Sequence, residues 1–319
     1  GIDTAIFSGN KSDYVITEVS YAQYIVSDNR GIEGTDTLTG FETLRFVDQD
    51  VDITPNGQNL IGTISNDTLS GDSGNDLITG NDGDDILKGL EGNDEINGGN
   101  GNDTIDGGND NDTLNGDGGD DTITAGAGDD TVKGGEGDDT IYGTSGTNTL
   151  RGDGGDDTIY GSGDDTIYGG GGDDTIYGSG GDDTIYGGDG NDVIYGGLSN
   201  YIDAGAGDDE IILNANQRGG NNGLMFDFLD GGTGTDTLHF QYIGGGNSGG
   251  STPIGDAVVN FEKIKFSTTT SGRYTFNLGS QAGSAGESIT VEVVQTSPWT
   301  VTGIDFTSAT DANIIFTGS

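Results

Sequence analysis

Cysteine is absent from this 319-residue chain, and histidine, tryptophan and methionine occur once each. Without thiols, and with His239 as the single imidazole, no zinc, copper or iron–sulfur centre of ordinary ligation can be assembled. Positive charge is almost as scarce. Ten Lys and Arg stand against 55 Asp and Glu, a formal net charge of −45, which would repel a nucleic acid. No run of 18 apolar residues occurs, so a membrane-spanning helix is excluded. No Walker loop, dinucleotide fingerprint or zinc-binding His pair is present. His239 lies in a strand-like T-L-H-F run with no Ser or Cys elbow, and reads as a structural histidine. Paired acids such as Asp138-Asp139 look superficially like a general acid and base, but they recur along the chain and read as ligands and solubilising charge. These absences predict a protein that is not an enzyme.

What the chain does have is glycine, 65 residues of it, and a nine-residue period. Gly98–Asp106 reads G-G-N-G-N-D-T-I-D and Gly134–Tyr142 reads G-G-E-G-D-D-T-I-Y. The sixth position is Asp67, Asp76, Asp85, Asp94, Asp103, Asp112, Asp121, Asp130 and Asp139, a step of nine throughout. Asn148, Asp157, Asp165, Asp174, Asp183, Asp192, Asn200 and Asp209 continue the register, with two units one residue short. Two places after each comes an aliphatic residue, from Leu69 to Ile211.

Glycines at the first, second and fourth positions permit left-handed backbone and a tight turn. The D-T-I-Y type of segment suits a short strand with one side chain facing in. Two units then make an 18-residue coil with a strand on each side. One inward column is expected to run Leu69, Leu87, Ile105, Ile123, Ile141, Ile159, Ile176, Ile194, Ile211. The other runs Ile78, Ile96, Leu114, Val132, Leu150, Ile167, Ile185, Ile202. Coils spaced about 4.8 Å apart give a roll of about 40 Å.

Two aliphatic side chains per coil make a thin core for so much glycine. Charge works against it too, since residues 61–213 hold 36 acids against Lys88, Lys133 and Arg151. The composition is that of a disordered chain; the regular aliphatic column is not. A cation must therefore complete the fold. Calcium is a hard ion that takes 6–8 oxygens from carboxylates and carbonyls, which is what these units offer. The EF-hand loop is missing.

The repeat resembles the RTX, haemolysin-type calcium-binding nonapeptide family over about half the chain. The resemblance implies an all-β fold, a right-handed parallel β-roll. It implies that calcium sits between turns stacked on one edge, held by the sixth-position Asp and backbone carbonyls. The expected ligands are Asp67, Asp76, Asp85, Asp94, Asp103, Asp112, Asp121, Asp130, Asp139, Asp157, Asp165, Asp174, Asp183, Asp192, Asp209 and Asp236, for about fifteen ions. Sites touching Asn148, Asn200 and the two short units are the weakest of these. The resemblance also implies an extracellular or cell-surface protein that leaves a Gram-negative cell by type I secretion, guided by an uncleaved C-terminal signal.

The flanks, residues 1–60 and 214–319, read as β-rich caps on a roll spanning 61–213. G-T-D-T-L at Gly34–Leu38 with F-E-T-L-R-F at Phe41–Phe46 recurs as Gly234–Leu238 with F-E-K-I-K-F at Phe261–Phe266. Residues 267–319 fit either more solenoid or a small sandwich. No N-terminal signal is visible and the chain starts at Gly1. The expected function is a secreted calcium-binding structural protein, an S-layer or filament subunit that folds and assembles on meeting extracellular calcium. The alternative is a calcium-binding and secretion module of a larger exoenzyme, toxin or adhesin. Late ninth positions become tyrosine, with Tyr142, Tyr160, Tyr177 and Tyr195 on one face and Tyr168 and Tyr186 on the other. They suggest self-association as the partner contact, with a cell-surface polysaccharide as a further possible partner. An alginate-type binding role lacks basic surface. An ice-binding role lacks Thr at the third motif position.

Overall fold

A computed structural model describes residues 4–6, 12, 14–20, 23–28, 35–39, 43–45, 50–52, 57–197, 200–214, 228–242, 251–254, 258–268, 275–278, 288–295 and 313–318. Among them there is no α-helix, and so none long and apolar enough to cross a membrane. The chain winds as a parallel β-solenoid. Successive strands alternate between two sheets, one of thirteen strands and one of eleven.

The register follows the 18-residue coil. Leu69 pairs with Leu87, Leu87 with Ile105, and so on to Ile194 with Ile211. In the facing sheet Ile78 pairs with Ile96, and the column continues to Ile185 with Ile202. From Ile78 to Ile211 these aliphatic residues are exposed by 1 % or less. Both columns are those expected from the sequence.

The strands are longer than the D-T-I-Y segments alone. Thr104–Asn109 and Thr113–Gly118 are six residues each, taking in the first three positions of the following unit. The turn is thus confined to positions four to six. The second and fourth positions carry positive φ, as at Gly99 (109°) and Gly101 (123°). A Cβ on Gly101 would lie 2.1 Å from the Gly83 carbonyl oxygen of the coil below, so coil stacking itself demands glycine there.

Parallel pairing runs on past residue 213. Phe228–Asp230 joins Tyr201–Ala206, and Thr237–Tyr242 joins Glu210–Asn214. Lys263–Thr268, Ser288–Gln295 and Asn313–Gly318 extend the thirteen-stranded sheet further. The end of the chain therefore adds solenoid strands. The β-rich T-V-T-G-I-D-F run at Thr300–Phe306 lies outside the described residues.

The two copies of G-T-D-T-L sit differently. Thr35–Thr39 lies in an antiparallel three-stranded sheet with Gln23–Asp28 and Tyr14–Ser20, whereas Thr237 and Leu238 stand in the roll register. The second copy is preceded by Gly231-Gly232-Thr233-Gly234, a complete turn motif, and the first is not.

Candidate metal centre

Each coil brings a sixth-position side chain under the turn at each edge. One edge stacks Asp67, Asp85, Asp103, Asp121, Asp139, Asp157, Asp174, Asp192, Asp209 and Asp236. The other stacks Asp76, Asp94, Asp112, Asp130, Asn148, Asp165, Asp183 and Asn200. All but Asp67 are exposed by 3 % or less. So many buried carboxylates need a reason.

Half of the reason is a ladder. The Oδ1 atom accepts the backbone N–H of the sixth residue one coil earlier: Asp103 Oδ1 from Asp85, Asp121 Oδ1 from Asp103, Asp139 Oδ1 from Asp121, each at 2.7 Å. The same bond links Asp130 to Asn148 and Asp183 to Asn200. Asp236 donates its N–H to Glu262 Oε2 at 2.9 Å, so the Glu of F-E-K-I-K-F takes the next rung.

The other half is not supplied by the protein. Among the described residues twelve Oδ2 atoms are buried and accept no hydrogen bond: those of Asp85, Asp94, Asp103, Asp112, Asp121, Asp130, Asp139, Asp157, Asp174, Asp192, Asp209 and Asp236. Leaving a buried acceptor unsatisfied costs about 1–3 kcal/mol, and more when it is charged. These oxygens converge with backbone carbonyls on the first-position glycines. A Cβ on Gly80 would meet Asp85 Oδ2 at 2.2 Å and the Gly98 carbonyl oxygen at 2.4 Å. At Gly169 the corresponding distances are 2.3 Å to Asp174 Oδ2 and 2.4 Å to the Gly187 carbonyl. Ala125 and Ala204 hold the same place in two units with fully buried methyls, so the carboxylate can give way there.

The donor set is all oxygen, charged and part carbonyl, which suits calcium. No three His, Asp or Glu side chains converge on one point among the described residues, so carbonyls would have to complete any coordination sphere. Burial pushes the carboxyls up, with the ladder bond opposing and neighbouring aspartates adding. Asp103 is raised to about 6, Asp121 and Asp139 to about 7, and Asp174 to about 8. Carboxylates held this way gain from a divalent cation as well as from a proton.

The remaining candidates differ. Asp67 Oδ2 accepts from Thr63 N at 2.5 Å, and Asp76 Oδ2 from Asp72 N at 2.7 Å. Asp165 Oδ2 accepts from Ser162 N at 2.7 Å, and Asp183 Oδ2 from Asn200 Nδ2 at 3.2 Å.

Sequence reasoning also missed a second ladder, at position five. Asn102 N bonds Asp84 Oδ1, Asp120 N bonds Asn102 Oδ1, and Asp138 N bonds Asp120 Oδ1, continuing to Thr235 N on Asp208 Oδ1. Its rungs point the opposite way to those of position six. The signal was there, since position five is nearly always Asn or Asp.

A family model described as the RTX calcium-binding nonapeptide repeat (four copies) matches overlapping windows from residue 61 to 200 and again 226–240. No curated protein matches the chain. That family binds calcium in the turns of its repeats. With parallel coils, buried Asp ladders and matching repeats over residues 61–200 and 226–240, this chain belongs to the RTX calcium-binding nonapeptide repeat family.

Proposed function

We propose that the chain is a calcium-folded structural protein of the cell surface or extracellular matrix, of the S-layer or filament type, and without catalytic activity. The observation that carries the calcium part is the set of twelve buried carboxylate oxygens that no protein donor satisfies. Bound calcium would supply a hard divalent charge that takes up those lone pairs and offsets the repulsion along each edge. The sixth-position aspartates with open oxygens, together with first-position carbonyls, are the proposed ligands. Residues 61–213 would form the main roll, with 1–60 and 214–319 as its caps, the latter holding a type I secretion signal.

Extracellular calcium is about millimolar, in the range of weak modular sites. Export unfolded through a type I system of a Gram-negative cell, followed by folding outside, is the route this suggests. Self-association is favoured over a polysaccharide partner by the tyrosines. Tyr142, Tyr160, Tyr177 and Tyr195 stack at centroid distances of 5.0, 4.8 and 4.5 Å, so the ring faces within the row are covered by one another and not free for a sugar. Ring edges and hydroxyls remain to meet a second copy. A module of a larger exoenzyme, toxin or adhesin would share the same calcium chemistry, and a catalytic domain encoded in the same gene would decide for it.

Circular dichroism tests the central claim. At pH 8, excess chelator should remove the β signal and added calcium restore it; a fully folded roll in chelator at that pH would refute calcium-coupled folding.

A further inference from the structure

The two edges of the roll are not equivalent. On the first, open Oδ2 atoms run without interruption from Asp85 to Asp236; on the second they stop at Asp130. From Asn148 to Asn200 the same position is filled by protein donors. Asn148 Oδ1 is needed by the Asp130 N–H, at 3.0 Å, which fixes the amide orientation and sends Nδ2 to the Gly143 carbonyl, also at 3.0 Å. Asn200 is fixed likewise. Its Oδ1 accepts from Asp183 N at 2.9 Å, and its Nδ2 is directed onto Asp183 Oδ2. Between them, Ser162 N closes Asp165 Oδ2.

The pocket under these turns changes character as well. On Gly161, a Cβ would meet Ile167 Cδ1 at 2.8 Å before Asp165 Oδ2 at 3.0 Å. Gly178 has Asp183 Oδ2 at 2.8 Å and Ile185 Cδ1 at 2.9 Å. Oxygen has partly been replaced by methyl. An amide N–H pointing into the turn also puts positive charge where a cation would sit. The outer ladder breaks at the same place, because Thr147 accepts the role of donor to Asp129 but brings no Asx oxygen.

We propose that the roll is loaded with calcium asymmetrically, along the first edge from Asp85 to Asp236 but on the second only from Asp94 to Asp130, the Asn148–Asn200 turns being closed by hydrogen bonds and taking no ion. This rests on the calcium reading above and refines it, since ions held by the described turns would then number no more than the twelve open carboxylates. The coils with a closed edge are those that carry stacked tyrosines on both faces, Tyr142 to Tyr195 on one and Tyr168 with Tyr186 on the other. Ring stacking and amide hydrogen bonds stand there in place of ions.

Counting calcium per chain on the intact protein, by calorimetric titration and elemental analysis, tests this. Asp183→Asn should leave the count unchanged, while Asp174→Asn, across the same coil, should lower it by at least one; asparagine preserves the Oδ1 ladder in both. Asn148→Asp with Asn200→Asp should raise the count. In hydrogen exchange at falling calcium, strands between residues 77 and 136 should lose protection before those between 158 and 212. Equal losses from Asp183→Asn and Asp174→Asn would overturn the asymmetry while leaving the calcium roll standing. No loss from either would overturn both, because the sixth position would then not be the ligand.

Discussion

Residues 77–136 and residues 140–212 share a backbone path, an aliphatic double column and an Asp-to-amide ladder, yet they are held together differently. In the first stretch Asp85, Asp103 and Asp121 on one edge, and Asp94, Asp112 and Asp130 on the other, all present open oxygens. The outer strand faces carry small or polar residues such as Asn97, Asp106, Asn115 and Thr124. In the second, one edge is open at Asp157, Asp174 and Asp192, the other is closed, and tyrosines stack along both faces. Arg151 covers the free face of Tyr168 at 4.8 Å and ends that stack. The comparison teaches that one solenoid backbone accepts two kinds of reinforcement between coils. Electrostatic reinforcement depends on an external ion; aromatic reinforcement is carried by the chain itself.

The largest effect expected is of pH on the calcium-free protein. The buried carboxyls have folded-state values of about 6 to 8, above the unfolded value of 3.8. The folded state therefore binds more protons than the unfolded state across that interval. The stability they contribute is fully present below pH of about 4 and is lost as pH rises through about 6 to 8. In chelator the β signal should persist near pH 4.5 and vanish near pH 8, the reverse of ordinary acid denaturation. A roll equally unfolded at both would show that charge on these carboxyls is not what opposes folding.

Second comes a pair that separates an open turn from a closed one. Asp121→Ala deprives the Asp103 N–H of its 2.7 Å acceptor and removes an open oxygen. The hydrogen bond alone is worth about 1.5–3 kcal/mol because the acceptor is charged, and the lost ion adds to that. Asn148→Ala strands the Asp130 N–H and the Gly143 carbonyl, a cost of about 1–3 kcal/mol with no ion lost. Denaturant unfolding at saturating calcium, read beside the ion count, distinguishes them. Asn148 brings no carboxylate, yet its two hydrogen bonds make it a clasp.

That difference marks the limit of what the sequence could reveal. The coil length, both aliphatic columns and the two Asp edges were legible because a strict period places every side chain once the handful of strand rules is applied. The identity of the cation followed from the donor chemistry and the family resemblance. Open and closed turns were legible only in part: Asn148, Asn200 and the short units marked the weak sites, but not the donors that fill them. Asp157, Asp165, Asp174 and Asp183 all sit in the same string, D-D-T-I-Y. What separates them is Asn200, 17 places on from Asp183 and met only when coils stack, and Ser162, whose amide reaches Asp165 from within its own shortened turn. The reach of the strands into the glycine positions was hidden for a related reason. Glycine disfavours strands locally, but here neighbouring coils pair with it on both sides.

The smallest effect tests the aromatic reinforcement by itself. Tyr142 ends its stack, touches one ring and is 40 % exposed, whereas Tyr160 lies between Tyr142 and Tyr177. A stacked pair is worth about 0.5–1.5 kcal/mol beyond its buried area. Tyr142→Ser should therefore cost about that much, and Tyr160→Ser about twice as much, with the calcium count unchanged in both. A loss of ions in either variant would mean that the stacks support the open edge and are not independent of it. The same proteins bear on assembly. If self-association uses the ring edges and hydroxyls of this row, Tyr160→Ser with Tyr177→Ser should fold on adding calcium but fail to scatter light as the parent does. Equal scattering would place the contact between copies elsewhere on the roll, and leave the tyrosines as a device that acts only along its length.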